Sequence, residues 1–123
     1  MNRLLRLSLF LLLPACHPAY DHLEIDLVSA PPVPVRVESD EIELPVGVAI
    51  VVDVEPKSAN DYEYFKDDEV ELDPQDRQVL RVDPTADPRR FVITGVKVGQ
   101  TCIDIEVLGE REQCVPATVQ ASP

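Results

Sequence analysis

The chain has 123 residues, 45% of them hydrophobic and only 5% aromatic, with 11 basic against 23 acidic side chains and a formal charge of −12. That length fits one domain with a short extension and leaves no room for two sizeable cores. The acid excess argues against nucleic-acid binding, which needs a basic face to displace counterions from phosphates, and against electrostatic docking on anionic lipid.

At the N-terminus Arg3 and Arg6 precede a leucine-rich run at 7–13, and Leu13-Pro14-Ala15-Cys16 follows directly. Positive charge, a short apolar segment and a small residue, in that order, make an export signal over 1–15. The apolar run is far below the ~18 to 20 residues that a spanning helix needs. The ending resembles the bacterial lipoprotein lipobox. That resemblance implies cleavage before Cys16, a diacylglyceryl group on its thiol and acylation of the freed amine, so that Cys16 carries the protein on a lipid bilayer. His17 in the following position, rather than aspartate, implies the outer membrane if the source is Gram-negative. Cleavage leaves 9 basic and 23 acidic residues, a charge of −14, so attachment rests on the acyl chains alone. Each buried methylene contributes about 0.8 kcal/mol, and two or more chains hold firmly where one does not.

Residues 16–34 contain Pro18, Pro31, Pro32 and Pro34 and no amphipathic helical pattern. They read as an acylated N-terminus and proline-rich tether, which at ~3.1 Å per residue reaches on the order of 50 Å from the membrane. Within it Leu23-Glu24-Ile25-Asp26-Leu27 alternates apolar with acidic residues. An edge strand is the alternative there; the tether is preferred.

The domain proper is expected at 35–120, where the hydrophobic period becomes two and short β-branched segments are bounded by Pro, Gly, Asp and Asn. The clearest segment is 48–54, with Val48, Ile50, Val52 and Val54 on one face. Further strands are expected at 35–37, 42–44, 62–65, 70–72, 79–82, 91–96, 103–107 and 115–119. Such a series predicts an all-β protein, an antiparallel sandwich of about seven to eight strands. In the strand over 101–107 the inward residues are Ile103, Ile105 and Val107, which leaves Cys102, Asp104 and Glu106 facing out.

Three blocks in order are Ile42-Glu43-Leu44-Pro45-Val46-Gly47 before the valine strand, Val79-Leu80-Arg81-Val82-Asp83, and Val92-Ile93-Thr94-Gly95-Val96-Lys97-Val98-Gly99-Gln100-Thr101. With them the stretch 37–119 resembles a bacterial immunoglobulin-like domain of group 2, the module of invasin- and intimin-type surface proteins. Gly47, Gly95 and Gly99 sit where a positive φ would serve a bulge or tight turn.

Setting Cys16 aside for lipid leaves an even pair, Cys102 and Cys114, for a disulfide in an oxidising compartment. A turn over 109–112 would make Cys114 face Val107, about 16 Å along the strand from Cys102, whereas a bridge needs Cα atoms within ~7 Å. The bridge therefore requires another register, a bulge, a curled last strand or a turn centred on Leu108.

Catalytic groups are few. The only histidines, His17 and His22, lie in the expected tether, so no Ser-His or Cys-His pair forms in the packed domain and the protein is read as not an enzyme. The acidic stretch 61–76 reads as a solvated loop and edge strand with no metal or other cofactor. The alternative is a calcium-dependent adhesion or interaction module, with Asp61, Asp67, Asp68 and Asp73 as oxygen ligands. Tyr62, Tyr64 and Phe65 stand beside these charges as a candidate contact patch. The reading is an envelope lipoprotein, lipid-anchored through Cys16, whose single module binds or spaces. Its expected partner is an envelope protein, a cell-surface ligand or a polysaccharide.

Overall fold

The computed structural model describes residues 19–59 and 70–122. Nine strands form two sheets packed face to face. They are β1 (Tyr20–Ser29), β2 (Arg36–Glu38), β3 (Glu41–Pro45), β4 (Ala49–Ser58), β5 (Val70–Pro74), β6 (Leu80–Pro84), β7 (Arg90–Gly95), β8 (Gly99–Val107) and β9 (Glu110–Gln120). One sheet has the order β1-β4-β7-β6 and the other β2-β3-β9-β8-β5. All pairings are antiparallel except β3 with β9, which is parallel. The expected all-β sandwich is therefore present, with nine strands among the described residues where seven to eight were expected. The expected strand at 62–65 lies outside those residues.

The alternation visible in the sequence is what closes the sandwich. Ile50, Val52 and Val54 on β4, Phe91 and Ile93 on β7, Ile103, Ile105 and Val107 on β8, and Val115, Ala117 and Val119 on β9 all point between the sheets and are buried. Every second residue faces inward because the strand period is two. The core is almost entirely aliphatic, with Phe91 its one buried aromatic among the described residues.

Of the tether expected at 16–34, residues 16–18 lie outside the described residues and the stretch 20–29 is not a tether. Tyr20–Ser29 is a ten-residue strand, hydrogen-bonded along β4 with Leu23 opposite Pro56 and Ile25 opposite Val54. Leu23 is 3% and Ile25 6% exposed. The physical reason is in the alternation: two apolar side chains on one face of an extended segment stabilise the core more than a solvated chain would, by roughly 1.5–3 kcal/mol each. Ser39 Oγ accepts from the Ile25 amide at 3.1 Å and covers part of the outer edge of β1. The prolines Pro31, Pro32 and Pro34 shape the connection from β1 to β2, where Val33 N donates to Pro31 O at 2.7 Å. Among the described residues the body thus begins at Tyr20 and not at residue 35.

The glycines divide into two kinds. Gly47 has φ 79° and makes the turn before β4, as expected. Gly95 and Gly99 do not adopt positive φ; they are small because something lies against them. A Cβ on Gly95 would sit 2.7 Å from the Pro45 carbonyl oxygen and 3.1 Å from Val119 Cγ1, and one on Gly99 3.2 Å from Val79 Cγ2.

Candidate functional site

The β8–β9 hairpin carries the one chemically distinctive pair in the described residues. Its turn is Leu108-Gly109, with φ 56° and 78°, and Val107 faces Glu110. Two consecutive positive φ values match the twist of the flanking strands, which is why a two-residue turn forms here. The turn is therefore tighter than the expected 109–112, and Leu108 accepts a backbone conformation that costs an L-residue about 1–2 kcal/mol. Glu106 pairs with Arg111, but Ile105 pairs with Gln113, so Glu112 is a bulge.

That extra residue flips the side-chain phase of β9. Without it Cys114 would share the inward phase of Ile103; with it Cys114 faces Asp104 on the outer surface, and Val115 meets Ile103 in the core. Cys102 is on the same outer face, and the two are joined in a disulfide with Cα atoms 5.5 Å apart. Both a different register and a bulge are thus present. The bridge closes a loop with a separation of 12 residues, for which the chain-entropy model gives about 3 kcal/mol. Replacing both cysteines by serine is expected to lower unfolding free energy by about that amount, read from urea unfolding with the m-value fitted for each protein.

Around the bridge the outer surface of this sheet is polar and cross-linked. Asp104 accepts from Arg111 Nε at 2.9 Å and from Gln75 Nε2 at 2.9 Å. The loop leaving β5 is held to β8 by Gln75 N to Cys102 O at 2.9 Å and Asp76 N to Thr101 Oγ1 at 3.0 Å.

Between the edges of β5 and β6 the two sheets leave a lateral cleft of about 480 Å³. Val70, Leu72, Val82, Pro84 and Phe91 line it, with Glu71, Asp73, Arg77 and Glu106 at the rim. Asp73, one of the four carboxylates considered for calcium, is exposed at that rim and accepts from Arg77 Nη2 at 2.9 Å. Asp61, Asp67 and Asp68 lie outside the described residues, as do Tyr62, Tyr64, Phe65 and Cys16. Among the described residues no group of three or more His, Cys, Asp or Glu side chains could hold a metal ion, and no helix is long and apolar enough to cross a membrane.

His22 falls on β1 and not in a tether; its Nδ1 lies 2.8 Å from the Asp21 carboxylate, and both side chains are exposed. On the same sheet Arg90 grips Asp53 with two bonds, Nε to Oδ1 at 2.8 Å and Nη2 to Oδ2 at 3.0 Å. These hold the Asp53 carboxyl below its ordinary pKa.

One contact ties the start of β1 to the opposite sheet. The Tyr20 hydroxyl donates to Gln113 Oε1 at 2.6 Å. Burial, and then the negative charges of Glu112 and Asp21, push its pKa up to about 12. Because the neutral phenol is the form that the fold favours, this contact supports stability fully below pH ~10 and loses it as pH rises towards 12. In an alkaline titration followed by tyrosinate absorbance, one of the three tyrosines is expected to ionise late, and Tyr20→Phe to remove that late phase.

Sequence reasoning missed the cleft and the Tyr20–Gln113 contact. The first depends on which strands become edges, and the second joins residues 93 positions apart; no local pattern announces either.

Strand order β1-β4-β7-β6 against β3-β9-β8-β5, with β3 running parallel to the last strand, defines an immunoglobulin-like β-sandwich. Among solved structures it is similar to domains 1–6 of the surface layer protein SbsC, at 19% identity and TM-score 0.60 over 87% of this chain and 14% of that one. A second structure of that S-layer protein, rSbsC(31-844), matches at 20% identity and TM-score 0.55 over 77% of this chain. The chain spans only about a seventh of the chain in each of those two structures, 14%, and at such identity the likeness is one of fold. No protein-family model matches the sequence, and no curated protein does.

Proposed function

We propose that this is an envelope lipoprotein, held on a bilayer by acylated Cys16, whose single immunoglobulin-like module acts by binding or spacing another surface component and not by catalysis. The observation that carries the reading is the joining of Cys102 to Cys114 in a chain that opens with the lipobox order Leu13-Pro14-Ala15-Cys16. A structural disulfide persists in oxidising compartments, and an export signal sends the chain to one. The resemblance to group 2 immunoglobulin-like domains and the fold shared with S-layer domains both support a module on a cell surface. His17 after the acylated residue supports the outer membrane in a Gram-negative cell. The partner is an envelope protein, a cell-surface ligand or a polysaccharide.

Intact mass spectrometry of the protein extracted from membranes tests the proposal in one measurement. The expected mass is that of residues 16–123 plus acyl chains, less two hydrogens for the bridge. A full-length, unmodified chain recovered from the soluble fraction would overturn it.

A further inference from the structure

The start of β1 lies at one end of the sandwich. Tyr20 pairs with Ser58 at the end of β4, and its hydroxyl reaches Gln113, three residues beyond the first residue of β9. Val70, at the start of β5, faces Val107, and Leu108-Gly109 turns the hairpin immediately beyond. These elements make one pole. The other pole holds the turn at Gly47, whose amide donates to Gly95 O at 2.8 Å, and the end of β9, where Gln120 O accepts from Val46 N at 2.8 Å. Val96 and Val98 stand exposed there.

We propose that the pole formed by Tyr20, Ser58 and the Leu108-Gly109 turn lies against the bilayer, presenting the Gly47 and Val98 pole to partners. This rests on the lipoprotein reading. Between Cys16 and Tyr20 there are only three residues, His17, Pro18 and Ala19, so the acylated residue and the first strand residue are at most ~14 Å apart. That is far shorter than a strand such as β9, whose 11 residues span ~35 Å. The body therefore has no length of chain with which to turn its other pole to the lipid. The hairpin tip agrees with this placement. Leu108 is 36% exposed and holds φ 56°, a position where glycine or asparagine would be the easier choice. A leucine at that tip offers an apolar contact at the headgroup boundary. Of the charges near it, Arg111 is paired with Asp104 at 2.9 Å, and Glu110 and Glu112 direct the contact to neutral headgroups, since anionic lipid repels them over about a Debye length.

The chain has no tryptophan, so single reporters are available. The full acylated protein is extracted and reconstituted into phosphatidylcholine vesicles that carry a headgroup-linked nitroxide quencher, as the variant Glu110→Trp or Val98→Trp. Glu110→Trp is expected to be quenched at least threefold more strongly than Val98→Trp. A 15-residue Gly/Ser insertion between Pro18 and Ala19 is expected to erase the difference. Far-ultraviolet circular dichroism checks that each variant keeps its β-sheet. Equal quenching at the two positions, in protein that floats with the vesicles, would overturn the orientation and leave the anchor standing. Failure to float with the vesicles at all would overturn both.

Discussion

Truncating Leu23 and Ile25 together to alanine is expected to lower unfolding free energy by about 4 kcal/mol or more. Both side chains sit in the common core, 3% and 6% exposed, and each loses transfer energy and leaves a cavity when cut back. Against a total stability of roughly 5–15 kcal/mol for a domain of this size, that is enough to bring the protein close to unfolding at room temperature. On the same strand Asp26 is exposed, and Asp26→Ala is expected to stay within about 0.5 kcal/mol of the parent. Urea unfolding of the three proteins reads the difference. Were 20–29 a solvated tether, all three would unfold together.

Gly95→Ala is the second large effect. Its Cβ would stand 2.7 Å from the Pro45 carbonyl oxygen, and that oxygen is not free to move. Pro45 ends the β3 strand that runs alongside β9, opposite Gln120, and the Gly95 backbone is itself held by Gly47 N at 2.8 Å and Val48 O at 3.0 Å. Backbone, not a side-chain end, would have to shift, and overpacking of that kind costs about 1–3 kcal/mol, here at the upper end. Gly47→Ala makes the useful comparison. It has φ 79° but nothing within 4 Å of the added methyl, so only the left-handed conformation is penalised, by about 1 kcal/mol. Thermal midpoints are expected to fall in the order parent, Gly47→Ala, Gly95→Ala; the reverse order for the two variants would refute the close-packing account of Gly95.

The alternation of Val, Ile and Leu encodes the two-layer architecture and the inward faces of β4 and β8, because burial on one face imposes period two. The same signal was present in Leu23-Glu24-Ile25-Asp26-Leu27, but surrounding prolines outweighed it. Proline marks where a chain cannot donate to a ladder, not how far the neighbouring ladder extends, and here Pro31, Pro32 and Pro34 punctuate a connection between strands. The disulfide illustrates a different boundary. Cysteine count and compartment indicated the pair, whereas the geometry that permits it depends on a leucine in a left-handed turn and on Glu112 bulging out of register. Neither has a compositional signature. Gly95 shows a related limit: the sequence reveals that a glycine is there, and only the fold reveals that Pro45 lies across it. As for the site, the lateral cleft between β5 and β6 belongs to tertiary topology alone.

The covalent link between Cys102 and Cys114 joins neighbouring strands of one sheet, on the side facing water, and so it does not rivet layer to layer. Adhesion of the two layers depends on aliphatic contact, with Ile50, Ile93, Ile105 and Val115 fully enclosed. Under reducing conditions the chain should consequently still yield a folded body bearing two free thiols, weakened but assembled. Oxidation then reinforces a body that is already folded, and bond formation need not precede folding.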